Sequence, residues 1–227
     1  MSITTKRLTG AAGICAAVAG AIFIGVQINH PHMDTTSITT TEVAIRNSLK
    51  VVMAALALAG ITGMYLSQVR RNGFLGLIGY LLLGTGYLLI MSTTFVSAYV
   101  LPSIAGTDPS YVKDVIAAAT GGTPTGDIGA LGTAIQFQGF AYLAGGLVFG
   151  IVLYRAGVLA RWAAALLAVG GVVSVVLSVM PDAFYRLLAL PNGIAMIALG
   201  YSLWREQRTS SEPQPSVSTS HLHPAEV

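Results

Sequence analysis

Two histidines flank a proline where the first apolar run ends, in the stretch VQINHPHMD (residues 26–34). Imidazole nitrogen and thioether sulfur are ligands that suit copper or zinc, so His30, His32 and Met33 are candidate metal ligands. A closed metal site needs three or four ligands, and the remaining histidines lie in the polar C-terminal tail. We therefore favour a helix that Pro31 ends, and we expect no bound metal or other cofactor.

Arg46 and Lys50 are a second chemical candidate, because residues one helical turn apart share a face. Lys50 precedes Arg70 by about 30 Å of helix, at a rise of about 1.5 Å per residue. Both cations therefore reach the edge of a hydrocarbon core, where long cationic side chains extend into the head groups. Glu42 has the spacing to pair with Arg46. The alternative function is a basic mouth that receives an anionic ligand.

Polar side chains also recur at one depth inside otherwise apolar runs. Tyr87, Tyr142 and Asn192 each lie about 20–24 Å along a helix from the nearest arginine anchor. Polar side chains in spans face protein or a wet cavity, so they predict either interhelical hydrogen bonds or a small pocket open to the outside. Helical spacing extends this set to neighbouring positions on two helices. The pocket candidates are Tyr80, Tyr87, Thr94, Gln138, Tyr142 and Asn192.

The elements that carry these residues are predicted to be membrane helices. Of 227 residues, 54% are hydrophobic and 9% are charged, and the mean hydropathy is +0.72. A soluble domain has more charge, and about 20 apolar residues suffice for a helix to cross a bilayer. We predict an all-α integral membrane protein, a six-helix bundle in residues 1–208. Its spans lie near residues 8–28, 43–69, 74–101, 128–154, 162–180 and 187–204.

Basic residues predict the orientation of these spans. Lysine and arginine concentrate on the cytoplasmic side of membrane proteins. With both termini inside, most of the 12 basic residues fall on that side. They are Lys6, Arg7, Arg70, Arg71, Arg155, Arg161, Arg205 and Arg208. We predict a multi-pass protein of a cell membrane with both termini in the cytoplasm. The polar, proline-bearing residues 209–227 predict a disordered cytoplasmic tail.

The first apolar run has an alternative interpretation. It follows Lys6 and Arg7 and fits a signal peptide, with a candidate cleavage site at residues 19–21. The run continues without a break to Ile28, which favours a retained membrane anchor. Cys15 lies within it and is the single cysteine, so an internal disulfide is excluded.

One segment between the spans has a helical pattern, PSYVKDVIAAAT at residues 109–120. Its larger side chains and one alanine recur at helical spacing, which predicts a short amphipathic helix lying on the outer membrane interface. The residues on this face are Tyr111, Val112, Val115, Ile116 and Ala119.

Two stretches near the C-terminus resemble a known group of proteins. They are LYRAGVLARWAAALLAVGG (153–171) and RLLALPNGIAMIALGYSLWREQR (186–208). Both are similar to segments of an uncharacterised six-helix integral membrane protein family of high-GC Gram-positive bacteria, a domain of unknown function. The likeness extends along most of the chain. It implies a six-helix fold in a bacterial plasma membrane, and it implies no reaction, ligand or catalytic residue.

Chemistry-bearing motifs are absent from the sequence. It has no nucleophile-and-base arrangement, phosphate loop or paired carboxylates, and no Asp, Glu, Lys, Arg or His lies in the middle of a span. We therefore expect neither an enzyme nor a proton-coupled carrier, and no nucleic-acid partner. The leading hypothesis is a non-enzymatic membrane protein with an outward-facing pocket for a lipid or a small apolar or weakly polar molecule.

Small residues four positions apart suggest an alternative function. Such spacing lets helix backbones approach closely, within one chain, in a homo-oligomer or against a partner. The pairs are Gly146–Gly150, Ala16–Gly20 and Gly170–Ser174. The alternative is therefore a membrane scaffold or accessory subunit that packs on its partner through glycine-rich helix faces. An outer-face metal binder at the histidine motif is a weaker alternative.

Overall fold

The computed structural model of the chain describes residues 4–178 and 189–209, and the side chains of all of these except 174–178. Over this part, the only regular secondary structure is helical. The helices are α1 (Thr5–Gly25), α2 (Thr41–Ser67), α3 (Val69–Phe95), α4 (Leu101–Ile104), α5 (Pro109–Ala119), α6 (Ala130–Ala156), α7 (Arg161–Ser178) and α8 (Ala189–Thr209). The all-α prediction is confirmed for these residues.

Within residues 4–178 and 189–209, four helical segments are long and apolar enough to cross a membrane: α1, α2, the continuous segment Val69–Ile104, and α6. These correspond to the first four predicted spans. The six-span count is not confirmed, because the described side chains of α7 end at Val173 and only the apolar stretch Arg161–Val173 lies in the described part. The predicted spans 162–180 and 187–204, and the predicted disordered tail, extend into residues outside the described part.

The six long helices pack side by side in the order α1, α2, α3, α6, α7 and α8, and α8 returns to α1. The contacts are antiparallel, as Ala12 of α1 meets Gly63 near the end of α2, and Gly13 meets Trp204 near the end of α8. The helix ends that carry most arginines therefore lie together. We call this the arginine-rich end, which comprises Arg70, Arg71, Arg155, Arg161, Arg205 and Arg208.

A short turn joins α2 to α3, in the stretch SQVRRNG (residues 67–73). A single residue, Gln68, separates the two helices. The backbone leaves helical geometry again at Gly73, where φ is 57°. Glycine tolerates this left-handed φ because it has no Cβ. Residues 69–72 thus form one short turn between two longer helices.

The third span extends beyond its predicted end at residue 101. A π-helical turn, Val96–Val100, joins α3 to α4, and the Leu101 N–H donates to the carbonyl of Val96, five residues back. Pro102 has no N–H to continue the usual bonding pattern. The wider turn before it lets the helix continue to Ile104.

The short amphipathic helix is present as α5, but its apolar face packs on protein. Val112, Val115 and Ile116 are buried together with Ile38, Val43, Leu101 and Ile128. They form a second small core at the end of the molecule opposite the arginines. The expectation that this face would lie on the membrane interface therefore needs correction, since periodicity reveals an apolar face and not what covers it.

Asp114 fixes the loop that follows α5. Its Oδ1 accepts from the backbone N–H and the hydroxyl of Thr125, at 2.8 and 2.9 Å, and its Oδ2 accepts from the N–H of Gly126 at 2.9 Å. Donation from the Thr125 backbone is the largest effect that lowers the pKa of Asp114 below its usual 3.8. The bonds favour the charged form, so this stabilisation is complete above the usual pKa and is lost as pH falls through the lowered one.

Candidate functional site

Arg46 joins α2 to the end of α1. Its Nη1 donates to the carbonyls of Val26 and Ile28, at 3.0 and 2.9 Å. Its Nε donates to Glu42 Oε1 at 2.9 Å, the predicted pairing across one helical turn. The last carbonyls of a helix lack intrahelical donors and carry partial negative charge, which an arginine satisfies. This guanidinium therefore stabilises a helix end and does not extend freely into head groups.

Lys50 also contacts the first loop. Its Nζ donates to His30 Nε2 at 3.0 Å, while His30 Nδ1 lies 2.9 Å from the carbonyl of Pro31. A carbonyl can only accept, so Nδ1 carries the proton and Nε2 offers its lone pair to the ammonium. Arg46 and Lys50 thus both connect α2 to residues 26–31, and the geometry gives no support to a basic mouth for an anion.

The three candidate metal ligands point to different environments. His30 contacts Lys50, His32 is exposed, and Met33 packs against the second core. In the described part of the chain, no three His, Cys, Asp or Glu side chains are grouped as metal ligands would be. The structure therefore gives this motif a packing and hydrogen-bonding role.

Tyr87 and Tyr142, which the sequence predicts to lie at one depth, are in contact. Their rings meet edge to face, with centroids 5.4 Å apart and planes at 86°. Tyr87 is 3% exposed, and the hydroxyl of Tyr142 is buried. Edge-to-face packing is a favourable arrangement of aromatic quadrupoles. At this depth α3 and α6 meet in a closed contact rather than in an open pocket between the two rings.

The neighbouring candidates are used in pairwise contacts between helices. Tyr80 stacks on Tyr65 of α2, with centroids 4.8 Å apart, and its hydroxyl lies 3.1 Å from Thr62 Oγ1. Gln138 of α6 accepts from Thr93 of α3 at 2.6 Å. Thr94, which was predicted to line the pocket, directly follows Thr93 and is half-buried. These contacts match the first of the two predicted alternatives, which was interhelical hydrogen bonding and not a pocket.

Asn192 of α8 contacts α7. It is 3% exposed on α8 and packs against Gly170 of α7. A Cβ at position 170 would collide with the Asn192 amide, so this glycine is needed to admit the side chain. The sequence placed Asn192 at the depth of the tyrosines but could not determine which neighbouring helix it faces.

The residues of the small-residue pairs that the structure describes lie against helices of the same chain, and the side chain of Ser174 lies outside the described part. Gly150 lies against Ala164 and Ala168 of α7, while Ala16 meets Gly60 of α2. Gly20 lies against the backbone of Gly193 in α8. In the described part of the chain these faces pack within the fold, so they add no support to the scaffold hypothesis.

A groove lies between α1 and α2 at the end opposite the arginines. It has a volume of about 350 Å³ and is mainly apolar. Its lining comprises Ile22, Gly25, Val26, Glu42, Ile45, Arg46 and Leu49. Ile45 is 57% and Leu49 41% exposed. Both helices are long and apolar enough to cross a membrane, so the groove opens where acyl chains would lie.

This groove is not apparent from the amino-acid sequence. Its apolar residues look like ordinary lipid-facing positions, and only Arg46 was singled out, for its charge. A usable signal was Gly25, a small residue at the end of α1 beside the polar loop. Nothing lies within 4 Å of where its Cβ would be, so the missing side chain leaves open space.

No family model matches the chain, and no curated protein or solved structure gives a significant match. The fold and the hydropathy therefore define the class, which is a helical protein with four candidate membrane-spanning helices among the residues that the structure describes. The resemblance to the six-helix bacterial family stays a prediction.

Proposed function

We propose that the chain is a six-span protein of a bacterial plasma membrane, with α7 and α8 as the fifth and sixth spans and both termini in the cytoplasm. Two features support this proposal. Helices α7 and α8 pack beside candidate spans, α7 on α6 and α8 on α1. The arginine-rich end collects the charges that favour the cytoplasmic side.

Cysteine labelling tests this topology. In a Cys15→Ala background, we expect an impermeant thiol reagent to label Ser110→Cys in intact cells and to label Thr209→Cys only after the membrane is opened. Both side chains are exposed, so burial does not limit either reaction. Labelling of Thr209→Cys in intact cells would overturn the proposed orientation.

We infer that the protein binds one acyl chain of a membrane lipid in the groove between α1 and α2. The observation that carries this inference is an apolar groove of about 350 Å³ between two candidate membrane helices, with exposed Ile45 and Leu49 at its side. Ligand sites typically have volumes of roughly 300–1,000 Å³ and mainly apolar linings. An acyl chain is the apolar molecule that such a groove meets in a bilayer.

The polar rim favours a weakly polar lipid head. Arg46 is engaged by Glu42 and two carbonyls, whereas the side chain of Glu42 is 57% exposed. Glu42 is therefore the group available to a hydrogen-bond donor, such as a lipid hydroxyl or amine. The sequence predicted a lipid or a small apolar or weakly polar ligand. The groove narrows this class to an amphiphile whose acyl chain lies in the groove and whose head group donates a hydrogen bond to Glu42.

Filling the groove tests this function. Gly25→Phe places a large side chain where nothing lies within 4 Å, so we expect the groove to be blocked without disturbing the fold. Gly139→Phe on α6 is the matched control, since that glycine also has open space and does not line the groove. Each variant is incubated with a phospholipid that carries a photoreactive acyl chain, and crosslinked peptides are identified by mass spectrometry.

We expect crosslinks to peptides containing Ile22 and Leu49 in the unmodified protein and in Gly139→Phe. In Gly25→Phe these crosslinks should fall by about tenfold, the loss expected when a site is sterically filled. Equal crosslinking of this groove in all three proteins would contradict the proposal, because labelling would then reflect general lipid contact.

A further inference from the structure

A second cavity lies at the arginine-rich end, beside the turn between α2 and α3. It has a volume of about 350 Å³ and a more polar lining than the groove. The lining residues are Leu66, Ser67, Gln68, Val69, Arg70, Arg71 and Val158. Val158, from the turn between α6 and α7, places a second pair of helices at its wall. The cavity is thus formed where two helix turns meet.

Gln68 is the unusual residue of this cavity. It is 4% exposed, and within the described part of the chain both its Oε1 and its Nε2 are buried without a hydrogen-bond partner. Burying an amide without a partner is costly, and such groups normally bond to protein, water or a ligand. Asn72, one turn later, is also 4% exposed with both side-chain polar atoms unpartnered. Gln68 lines the cavity, whereas Asn72 does not.

The charge beside Gln68 indicates the type of partner. Arg70 and Arg71 are exposed and line the same cavity. Guanidinium groups bind phosphate oxygens through paired, charge-assisted hydrogen bonds, and an amide N–H adds a further donor. Arg71 also lies within electrostatic range of Glu206.

We propose that this cavity binds a phosphate group, with Arg70 and Arg71 holding its charge and the Gln68 amide donating to one of its oxygens. The site is separate from the groove between α1 and α2 and does not depend on the acyl-chain function. The phosphate could come from a phospholipid head group or from free inorganic phosphate. The recognition chemistry is the same in both cases, and the experiment below separates the two sources.

Native mass spectrometry of the delipidated full-length protein tests the site. We expect a phosphatidylglycerol to bind about tenfold more tightly than a diacylglycerol with the same acyl chains, since only the former offers phosphate to the arginines. Calorimetric titration with inorganic phosphate forms the second arm. Binding of the lipid alone identifies a head-group site, whereas binding in both arms identifies a site that also takes free phosphate.

Two variants and a control assign the binding to this cavity. Gln68→Leu keeps the side-chain size and removes the amide, so we expect phosphate-dependent binding to fall about tenfold while the melting temperature does not fall. Arg70→Ala should give a similar loss. Arg205→Ala removes the same charge at the same end without lining the cavity, and it should change binding less than about twofold.

Gln68→Leu separates a ligand site from an ordinary packing position. A purely structural glutamine would leave phosphate binding unchanged. The proposal is overturned if phosphatidylglycerol and diacylglycerol bind equally and inorganic phosphate does not bind. It is also overturned if Gln68→Leu and Arg70→Ala both bind phosphate as Arg205→Ala does. Gly25→Phe should retain phosphate binding, which keeps this test independent of the acyl-chain groove.

Discussion

Replacing Gly145 with alanine is expected to destabilise the protein by about 3 kcal/mol, the upper part of the usual range for overpacking a close contact. A Cβ at position 145 would collide with the backbone of Leu83 in α3. Backbone atoms cannot move aside by changing a rotamer, so α3 and α6 would have to separate. Their separation would also disturb the edge-to-face contact between Tyr87 and Tyr142.

The contact around Gly145 is one of three along the same pair of helices. A Cβ at Gly79 would lie 2.7 Å from the backbone nitrogen of Phe149, and one at Gly86 would lie 2.7 Å from the Cα of Tyr142. Helix association in a membrane depends on such close packing, because the lipid is as apolar as the helices. The effect of Gly145→Ala should therefore extend along the whole contact.

Gly139→Ala on the same helix is the matched control. Nothing lies within 4 Å of its missing Cβ, so the substitution should be neutral or stabilise the helix by up to about 1 kcal/mol. The measurement is the free energy of unfolding of both variants, from reversible denaturation in mixed micelles. Equal stabilities of Gly145→Ala and Gly139→Ala would show that α3 and α6 do not approach as closely as described.

Properties that depend on position along one helix could be predicted from the sequence. The apolar runs gave the first four candidate spans, and the spacing of Glu42 and Arg46 gave their ion pair. Counting the helical rise placed Tyr87 and Tyr142 at one depth, where they are in contact. Each of these inferences uses only the geometry of a single helix.

Properties that depend on rotation about the helix axis could not be predicted in the same way. A regular spacing suggested Thr94 as a pocket residue, whereas its neighbour Thr93 bonds to Gln138. Asn192 shares a depth with the tyrosines but packs on α7. Which face of a helix meets which neighbour depends on the packing of the whole set, and a hydrophobic run that is apolar on every side carries little information about it.

The groove and the proposed phosphate cavity could not be predicted from the sequence for a related reason. The groove depends on Gly25 lying beside α2, and the phosphate site depends on Gln68 being buried within a one-residue turn. Both residues are ordinary at the level of sequence. Arg46 was conspicuous because of its charge, but its partners Val26 and Ile28 lie on another helix end, about twenty positions earlier, which no local spacing rule relates to it.

Arg46→Ala is therefore expected to have a larger effect than its surface ion pair would suggest. The side chain is 19% exposed and connects α2 to two carbonyls at the end of α1. Hydrogen bonds from charged groups contribute about 1.5–3 kcal/mol, so we expect the free energy of unfolding to fall by about 2–3 kcal/mol. Amides of residues 26–30 should also exchange with solvent faster, because the loop loses its attachment to α2.

Glu42→Gln distinguishes the two roles of Arg46. It removes the ion pair and leaves both carbonyl contacts, so it should cost only about 0.5 kcal/mol, the usual value for a pair across one helical turn. Arg46→Lys should be intermediate, since one ammonium group cannot reproduce the forked geometry of a guanidinium. If Arg46→Ala and Glu42→Gln were equally mild, the carbonyl contacts would contribute nothing to stability. We expect the loss in the free energy of unfolding to be largest for Arg46→Ala, smaller for Arg46→Lys and smallest for Glu42→Gln. This order would identify Arg46 as the residue that stabilises the end of α1.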